Sequence, residues 1–538
     1  MIERLLENWL ASASERSYQF PFVQILRYRG LKVIHCSRHS QIEHGKDIIA
    51  IDKAGNVIAY QLKGVDNGKM SLRELREIMP QLHSLVSAKI EHPAIDTTRW
   101  HKSYLVLNGE LEEEASDLLS KTNAGYIESG KPEWVINVFT GGEILDVAKE
   151  MYNSFIPNEL REFKLLLELY LENGNTLLPK EKFANLMKLS IPSLEINKKP
   201  KITEFKRTVI GLGLINSLSL SSFTKSKNYF AEIEAWIICF AHISAVIIRY
   251  DVYEVYWRPY LDIIDEWIHS ILRDLIFEIR ANPDEFSGES LTEIFVHRYR
   301  LTLLESLCSI YALSCLLKGK TNDELLPFCS EFVNNNYLRG LIAAESAIPQ
   351  VTSIYLYLRK IDSTPQPDFW IFSILEGLCK KNRIGSLEAI PNSYYDVEDV
   401  LLSMFGNELY KIDDNFDGHS FTKEALLHLF VRRNWKQNCR LIWPEYTKVM
   451  DCETKLDEPW RFLLWRNSEG AKNISSWPKM RKDWSELNNE AWESEGNNIP
   501  KILKQYPSVF MLFLVVYPHR YNSETIRWLA THLSQYSF

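Results

Sequence analysis

Short apolar runs alternate with amphipathic segments over the first 155 residues, and this alternation restricts the fold more than any other feature. The segments between the runs have helical periodicity, and Gly30 and Ser71 are suited to end one helix and to begin another. Strands separated by helices predict an α/β domain over residues 1–155, with a mixed sheet flanked by helices. Runs with strand character lie at 31–36, 46–52, 56–64, 104–107 and 134–139.

Residues 160–230 have a different pattern, in which three amphipathic segments precede a polar stretch. The segments are LREFKLLLELYLENG, PKEKFANLMKL and KITEFKRTVIGLGLI, and the polar stretch begins SLSLSSFTKSKN. Apolar residues recur at helical spacing in each segment. Three short helices followed by a polar hairpin resemble a winged helix-turn-helix, so we expect such a domain over 160–230.

Residues 231–538 are predicted to be an all-helical region. Apolar residues recur there at helical spacing with short polar loops between them. The most apolar run, over 235–248, is shorter than a membrane span and contains His242, so it predicts a buried helix. We interpret this region as a sensor or interaction domain, with weak linkers near Asn158 and over 363–367.

Composition excludes several classes of protein. Of the 538 residues, 46% are hydrophobic and 25% are charged, as in ordinary soluble proteins, and the length suits about three domains. None of the eight cysteines forms a Cys-x-x-Cys pair, so a structural zinc site is not expected. The N-terminus lacks the apolar core of a signal peptide. We therefore expect a cytoplasmic protein that does not enter a membrane.

The sequence GKDIIAIDKAGNVIAYQLKG, which begins at Gly45, has the pattern of a β-hairpin. A loop after Ile51 pairs Ile51 with Val57 and places Asp47 opposite Gln61, on the same face of the sheet. Lys63 shares that face because alternate residues of a strand point the same way. The hairpin thus predicts an acid, an amide and an amine at one end of an otherwise apolar face.

This combination suits phosphodiester hydrolysis. Carboxylate and carbonyl oxygens are ligands that Mg²⁺ prefers, and the backbone carbonyl of Leu62 is a further candidate ligand beside Asp47 and Gln61. A bound cation activates water and stabilises charge on phosphate. Lys63 can orient or deprotonate the attacking water, or neutralise the developing charge.

The order of these elements resembles the PD-(D/E)xK restriction-endonuclease superfamily, and in particular its Mrr-type nuclease domains. The resemblance covers about residues 15–150. Asp47 matches the family's acid two residues after a glycine, and Gln61 and Lys63 match its (Glu/Gln)-x-Lys triplet. The resemblance implies a Mg²⁺-dependent nuclease, with Mn²⁺ as an alternative, in which these three residues are catalytic.

Members of this family often carry a further acid on the helix before the first strand. Alignment on Gly30 places Gln19 at that position, which departs from the family. Because an amide is a weaker metal ligand than a carboxylate, a single-metal site is expected. Glu15 and Glu43 are less well placed substitutes. His44 is a further accessory candidate close to Asp47.

The densest basic run precedes the third helix of the 160–230 segment. It is a candidate for nucleic-acid binding, with a solvated helix face as the competing interpretation. Its members are Lys198, Lys199, Lys201, Lys206 and Arg207.

Three hypotheses remain open. The first is a metal-dependent DNA endonuclease of a restriction or anti-phage defence system, a role that only the resemblance implies. Cutting both strands would call for a homodimer or a partner subunit bound through the helical region. The second is a catalytically idle scaffold that binds nucleic acid, and the third is an RNA-directed nuclease. No P-loop or Gly-x-Gly-x-x-Gly motif occurs, so no nucleotide cofactor is expected.

Overall fold

The computed structural model divides the chain into two compact units, Met1–Ala235 and Trp236–Phe538. The 155–160 boundary expected from the sequence falls inside the first unit, and residues 156–159 lie outside the described part. The structure describes residues 2–36, 45–65, 68–90, 95, 100–155, 160–195, 198–282, 294–340, 342–362, 364–396, 400, 403, 417–466 and 471–536.

A five-stranded mixed sheet forms the centre of the first unit, in agreement with the predicted α/β domain. Its order is β1-β2-β3-β5-β7, with antiparallel pairing from β1 to β3 and parallel pairing from β3 to β7. A separate parallel pair joins β4 and β6. The strands are β1 Lys32–Cys36, β2 Ile48–Ile51, β3 Val57–Lys63, β4 Lys69–Met70, β5 Lys102–Leu107, β6 Glu110–Leu111 and β7 Ile136–Phe139.

Helices cover both faces of this sheet. The bounds of the first five are α1 Ile2–Ser12, α2 Glu15–Tyr28, α3 Leu72–Ser87, α4 Glu113–Glu128 and α5 Gly141–Phe155. On one face, apolar side chains of α3 and α4 form a core with Ala59 of β3 and Leu105 of β5. On the other face, the ring of Phe22 in α2 meets Tyr60 and Phe139 edge-on, with centroids 5.4 and 5.3 Å apart.

The segment after residue 160 is helical throughout its described part. It contains α6 Leu160–Tyr170, α7 Lys180–Leu189, α8 Pro192–Glu195, α9 Ile202–Ser219, α10 Ser221–Lys225 and α11 Tyr229–Tyr250. The predicted polar hairpin is therefore wrong, and with it the wing of the winged helix. Ser217 and Ser219 donate their hydroxyls to carbonyls four residues earlier, so these polar residues are satisfied inside α9.

The second unit is mainly helical but is not all-helical as predicted. The order β10-β9-β8 forms a three-stranded sheet, with β8 parallel to β9 and β9 antiparallel to β10. Alternate residues of β9 differ in exposure, the period-2 pattern of a half-buried strand. The strands are β8 His419–Ser420, β9 Met450–Leu456 and β10 Ala471–Ser476.

The helices of the second unit begin with the end of α11. They continue with α12 Glu254–Ala281, α13 Ile294–Leu317, α14 Leu326–Asn336, α15 Ile348–Ile361, α16 Gln366–Lys381, α17 Lys423–Val431, α18 Lys436–Tyr446, α19 Trp484–Trp492, α20 Lys501–Gln505, α21 Pro507–Val516 and α22 Ser523–Ser534.

Among the described residues, α11 and the Arg300–Leu317 part of α13 are long and apolar enough to cross a membrane. Their apolar windows are 94% and 83% buried inside the protein, as in core helices of soluble proteins. The run over 235–248 is buried as predicted, but the helix containing it is long enough to span a bilayer. The cytoplasmic location stays a prediction.

His101 is buried against the last turn of α3, and this predicts acid sensitivity. Its Nε2 lies 2.8 Å from the carbonyl oxygen of Leu85. Burial lowers the pKa of His101 from 6.5 to about 4. In the unfolded chain His101 is protonated below about pH 6.5, whereas in the folded chain it is protonated only below about pH 4. The free energy of unfolding therefore decreases as the pH falls from 6.5 to 4.

In the wild type, His101 should lower the free energy of unfolding by about 3 kcal/mol between pH 6.5 and pH 4. We expect this decrease to be absent in His101→Gln. The measurement is denaturant unfolding of the full chain at a series of pH values, compared with the wild type. His83→Gln, at an exposed histidine of α3, is the control. An unchanged pH dependence in His101→Gln would contradict the prediction.

Candidate active site

The hairpin of β2 and β3 has the predicted register. Ile51 pairs with Val57 and Ile49 with Ala59. Asp47 lies just before β2, and its backbone N–H donates to the carbonyl oxygen of Tyr60 at 2.9 Å. The ladder therefore brings Asp47 to the end of β3 that carries the predicted triplet.

The Asp47 carboxylate closes this end of the hairpin. Its Oδ2 accepts hydrogen bonds from Nε2 of Gln61 at 2.8 Å and from the backbone N–H of Leu62 at 2.6 Å. Gly45 makes room for the arrangement. A Cβ there would lie 2.6 Å from the carbonyl oxygen of Gln81, and Gly45 has a φ of +75°, which favours glycine.

Gln61 has an acceptor atom that the described residues leave unsatisfied. The side chain is buried, and its Oε1 has no hydrogen-bond partner among them. A buried polar atom without a partner costs free energy that a cation would recover. Because the N–H and C=O of one strand residue point towards the same edge, the Leu62 carbonyl is directed to the Asp47 side of β3. The donor set thus fits a hard divalent cation such as Mg²⁺.

Substituting Gln61 by glutamate tests this donor set. We expect Gln61→Glu to bind Mn²⁺ at least about tenfold more tightly, because affinity rises with the number of charged ligands. Without metal, the variant should be less stable, because two carboxylates replace the Gln61–Asp47 hydrogen bond.

Titration of the full chain with Mn²⁺, followed by calorimetry or electron paramagnetic resonance, measures the first effect. The midpoint of thermal unfolding in a chelator measures the second effect. Gln366→Glu, which adds the same charge at an exposed site in the second unit, is the control. Equal Mn²⁺ affinity in Gln61→Glu and the wild type would argue against Gln61 as a ligand.

The structure places Glu15, rather than Gln19, against Lys63. Lys63 Nζ lies 3.3 Å from Oε2 of Glu15, and both side chains are about one-fifth exposed (17% and 22%). Gln19 instead donates through Nε2 to the sulfur of Cys36 at 3.6 Å. The assignment of Gln19 to the position of the family's helix acid stays a prediction. Glu43 and His44 lie outside the described residues.

Ser14 fixes the start of α2 and thereby the position of Glu15. Ser14 caps α2 by accepting a hydrogen bond from the N–H of Ser17, so Glu15 is the first residue of the helix. A carboxylate in this first turn interacts favourably with the helix dipole. A Cβ on Gly64 would lie 3.0 Å from the backbone nitrogen of Glu15, so the start of α2 is packed against the end of β3.

Asn108, which follows β5, ties these segments together. Its Oδ1 accepts from the N–H of Val65 at 2.7 Å, and its Nδ2 lies 3.2 Å from the carbonyl oxygen of Leu10 and 3.0 Å from that of Ala13. The side chain is buried. One amide thus links the end of β3, the end of β5 and the segment that leads into Glu15.

Lys46 is a buried cation immediately before Asp47. Its Nζ donates to the carbonyl oxygen of Ser84 at 3.4 Å, near the end of α3. Burial lowers the pKa of Lys46 from 10.5 to about 8. The contact with the helix end and the burial indicate a structural role for Lys46 in anchoring the hairpin to α3.

The predicted basic run lies at the start of α9. Four of its side chains are exposed and that of Lys206 is partly buried. A Cβ on Gly213 would lie 2.9 Å from the ring of Phe20, so α9 packs on α2. The chain after α9 returns to the start of α2, where the Arg16 guanidinium stacks 4.5 Å from the ring of Tyr229. The chain thus runs from the basic start of α9 towards the start of α2. Lys201 lies ~18 Å along the helix from Gly213, on the side away from Glu15.

A second group of potential metal ligands occurs in the described part of the second unit. Ligand atoms of Glu424, His428 and Glu490 lie within 4.8 Å of one another. Arg481 donates to Glu424 at 2.6 Å and to Glu490 at 2.8 Å, and Lys479 also pairs with Glu490. Two cations already neutralise the two carboxylates, so we interpret the group as an ion-pair network.

The predicted residues Asp47, Gln61 and Lys63 thus lie together, with the predicted substitute Glu15 against Lys63, and the structure adds Tyr18 and Asn108 around them. The sequence signal for Glu15 is the pair Ser14-Glu15, in which a helix-capping residue is followed by an acid. Comparison with protein-family models, with curated protein sequences and with solved structures finds no match for this chain.

Proposed function

We propose that this protein is a metal-dependent endonuclease that hydrolyses phosphodiester bonds in DNA. The observation that carries the proposal is the convergence of Glu15, Asp47, Gln61 and Lys63 at the end of β3, with the buried Oε1 of Gln61 unsatisfied among the described residues. Two acids and an amide oxygen are ligands suited to Mg²⁺ or Mn²⁺, and a lysine beside them can assist phosphodiester hydrolysis.

Each residue has a distinct role in this proposal. Asp47 and Gln61 would hold the cation together with the Leu62 carbonyl, and Glu15 would be a further ligand. A bound divalent cation supplies charge stabilisation at the phosphate and lowers the pKa of water. Lys63, held beside Glu15, would orient the attacking water or neutralise the developing charge on phosphate.

The remaining parts of the proposal extend the resemblance to the PD-(D/E)xK nucleases. The basic residues at the start of α9 would contact DNA phosphates outside the cleavage site. The second unit would bind a partner subunit or a second copy, since cutting both strands calls for two sites. A role in restriction or anti-phage defence belongs to the same proposal.

The test is cleavage of plasmid, single-stranded DNA and RNA by the full chain with Mg²⁺, Mn²⁺ or a chelator. We expect metal-dependent cleavage of DNA that falls below about 1% in Asp47→Ala, because loss of the cation removes several kcal/mol of charge stabilisation. Asp117→Ala, at an exposed aspartate of α4, should cleave normally. Full activity in Asp47→Ala would contradict the mechanism. DNA binding without cleavage would favour a scaffold, and cleavage of RNA alone would change the substrate.

A further inference from the structure

Tyr18 is a fully buried tyrosine whose hydroxyl lies at the candidate site. It is 0% exposed and follows Glu15 by three residues, so both lie on one face of α2. The hydroxyl oxygen lies 2.9 Å from the carbonyl oxygen of Lys63 and 3.1 Å from that of Val106. Lys63 is the last residue of β3 and Val106 is the penultimate residue of β5, and these two strands are parallel neighbours.

At this position the Tyr18 hydroxyl acts as a hydrogen-bond donor. Burial and the nearby charges of Glu15 and Asp47 raise the pKa of Tyr18 well above 10. The hydroxyl therefore keeps its proton at neutral pH. A single proton then serves two carbonyl oxygens and ties them both to α2.

An ion pair with α11 also holds the turn of α2 that carries Tyr18. Arg16 donates to Oε1 of Glu232 in α11 at 2.8 Å, and the Glu232 side chain is only 3% exposed. A buried carboxylate paired with arginine resists displacement, because separating them would leave an uncompensated buried charge. The turn of α2 that carries Tyr18 is therefore anchored to α11.

We propose that Tyr18 is a positioning residue for Lys63. One turn of α2 supplies the ion-pair partner of the lysine side chain, Glu15, and the anchor of the lysine backbone, Tyr18. By binding the Lys63 carbonyl, the hydroxyl sets where the lysine stem leaves β3 and hence where its ammonium group lies. The inference rests on the proposed nuclease function for its purpose, and on hydrogen-bond geometry for its structural part.

The experiment compares Tyr18→Phe with Tyr28→Phe in the full chain. Tyr28 donates its hydroxyl to Glu150 at 3.3 Å near the other end of α2, so the control removes the same group from the same helix. The first readout is the rate at which an amine-reactive acetylating reagent modifies Lys63, followed by mass spectrometry. The second readout is kcat and KM for metal-dependent cleavage of DNA. The thermal midpoint reports whether each variant folds.

In Tyr18→Phe, we expect Lys63 to react up to about tenfold faster, the factor that one lost hydrogen bond permits. We expect kcat to fall by roughly 10- to 100-fold with KM unchanged, the cost of a small misplacement of a reacting group. Tyr28→Phe should match the wild type in both readouts. Unchanged Lys63 reactivity in a folded Tyr18→Phe would overturn the inference.

The two readouts separate this inference from the proposed function. Faster modification of Lys63 in Tyr18→Phe, together with a wild-type chain that cleaves no nucleic acid, would uphold the structural part and reject the nuclease proposal. A fall in kcat together with an equal rise in KM would indicate general disturbance of the site and would also overturn the positioning role.

Discussion

Lys63→Met is expected to lower metal-dependent DNA cleavage by about 10²- to 10⁴-fold, the range that a positioned proton-transfer group contributes. The same substitution should make Mn²⁺ bind roughly tenfold more tightly. Methionine preserves much of the lysine stem but removes the positive charge that lies 3.3 Å from Glu15. A cation at Asp47 then meets less repulsion, and between neighbouring groups one unit charge is worth on the order of 1 kcal/mol or more.

These opposite effects distinguish a catalytic lysine from a structural one. The rates come from plasmid cleavage, and the affinities come from Mn²⁺ titration of the same preparations. Lys121→Met, which removes an exposed lysine of α4, should change neither quantity. If Lys63→Met lost Mn²⁺ binding together with cleavage, Lys63 would be holding the site together and would have no separate role in the chemistry.

Asn108→Asp is expected to destabilise the chain by about 3–5 kcal/mol at pH 7, the cost of leaving a buried charge without a partner. The carboxyl replaces the Nδ2 donor that faces the carbonyl oxygens of Leu10 and Ala13. The two side chains have nearly the same shape, so the change removes hydrogen-bond donors and leaves packing intact. The start of α2 would lose its link to β5, and cleavage should fall with stability.

The pH dependence of this loss has a definite sign. Burial among acceptors raises the folded-state pKa of the introduced carboxyl above its unfolded value of about 3.9. The deficit relative to the wild type should therefore be small near pH 4 and grow as the pH rises towards 7. Denaturant unfolding at both pH values measures it.

Asn173→Asp is the control for this pair of measurements. Asn173 is exposed and acts as an acceptor for the N–H of Asn175 at 3.1 Å, a role that a carboxylate also fills. This variant should match the wild type at both pH values. A deficit in Asn108→Asp that stayed constant with pH would mean that the donor is lost without burial of a charge.

The hairpin was predictable because its determinants are local. Asp52 accepts hydrogen bonds from the N–H groups of Ala54 and Asn56, both at 2.8 Å, and Gly55 has a φ of +82°, so the turn is encoded in five consecutive residues. The alternation of apolar residues then sets the register on both strands. The placement of Asp47, Gln61 and Lys63 at one end follows from that register alone.

The contact between Glu15 and Lys63 was not predicted, because it depends on where α2 begins. Proline is easily tolerated only in the first turn of a helix, so Pro21 favours a start close to Tyr18. Ser14 caps the helix earlier, and α2 continues through Pro21. The contact of Glu15 with Lys63 joins residues 48 positions apart, and no local pattern reports such a separation.

The polar segment at the end of α9 shows the limit of composition. Serine-rich stretches favour turns because their hydroxyls compete for backbone groups. Here those hydroxyls bind carbonyls of the same helix, and Gly213 lets α9 approach Phe20 of α2 closely. The tertiary contact decides the conformation, so the helix was visible only in the folded chain.

The link that Asn108 makes between the ends of β3 and β5 has a consequence for how the protein is made. Synthesis runs from the N-terminus, and domains fold as units as they emerge from the ribosome. The hairpin with Asp47 and Lys63 emerges first, but the Glu15 segment is tied to it through a side chain 45 residues beyond Lys63. A nascent chain that ends before Asn108 therefore has all four proposed site residues but lacks the anchor that aligns them. The proposed site would therefore not be aligned in truncated products that lack Asn108.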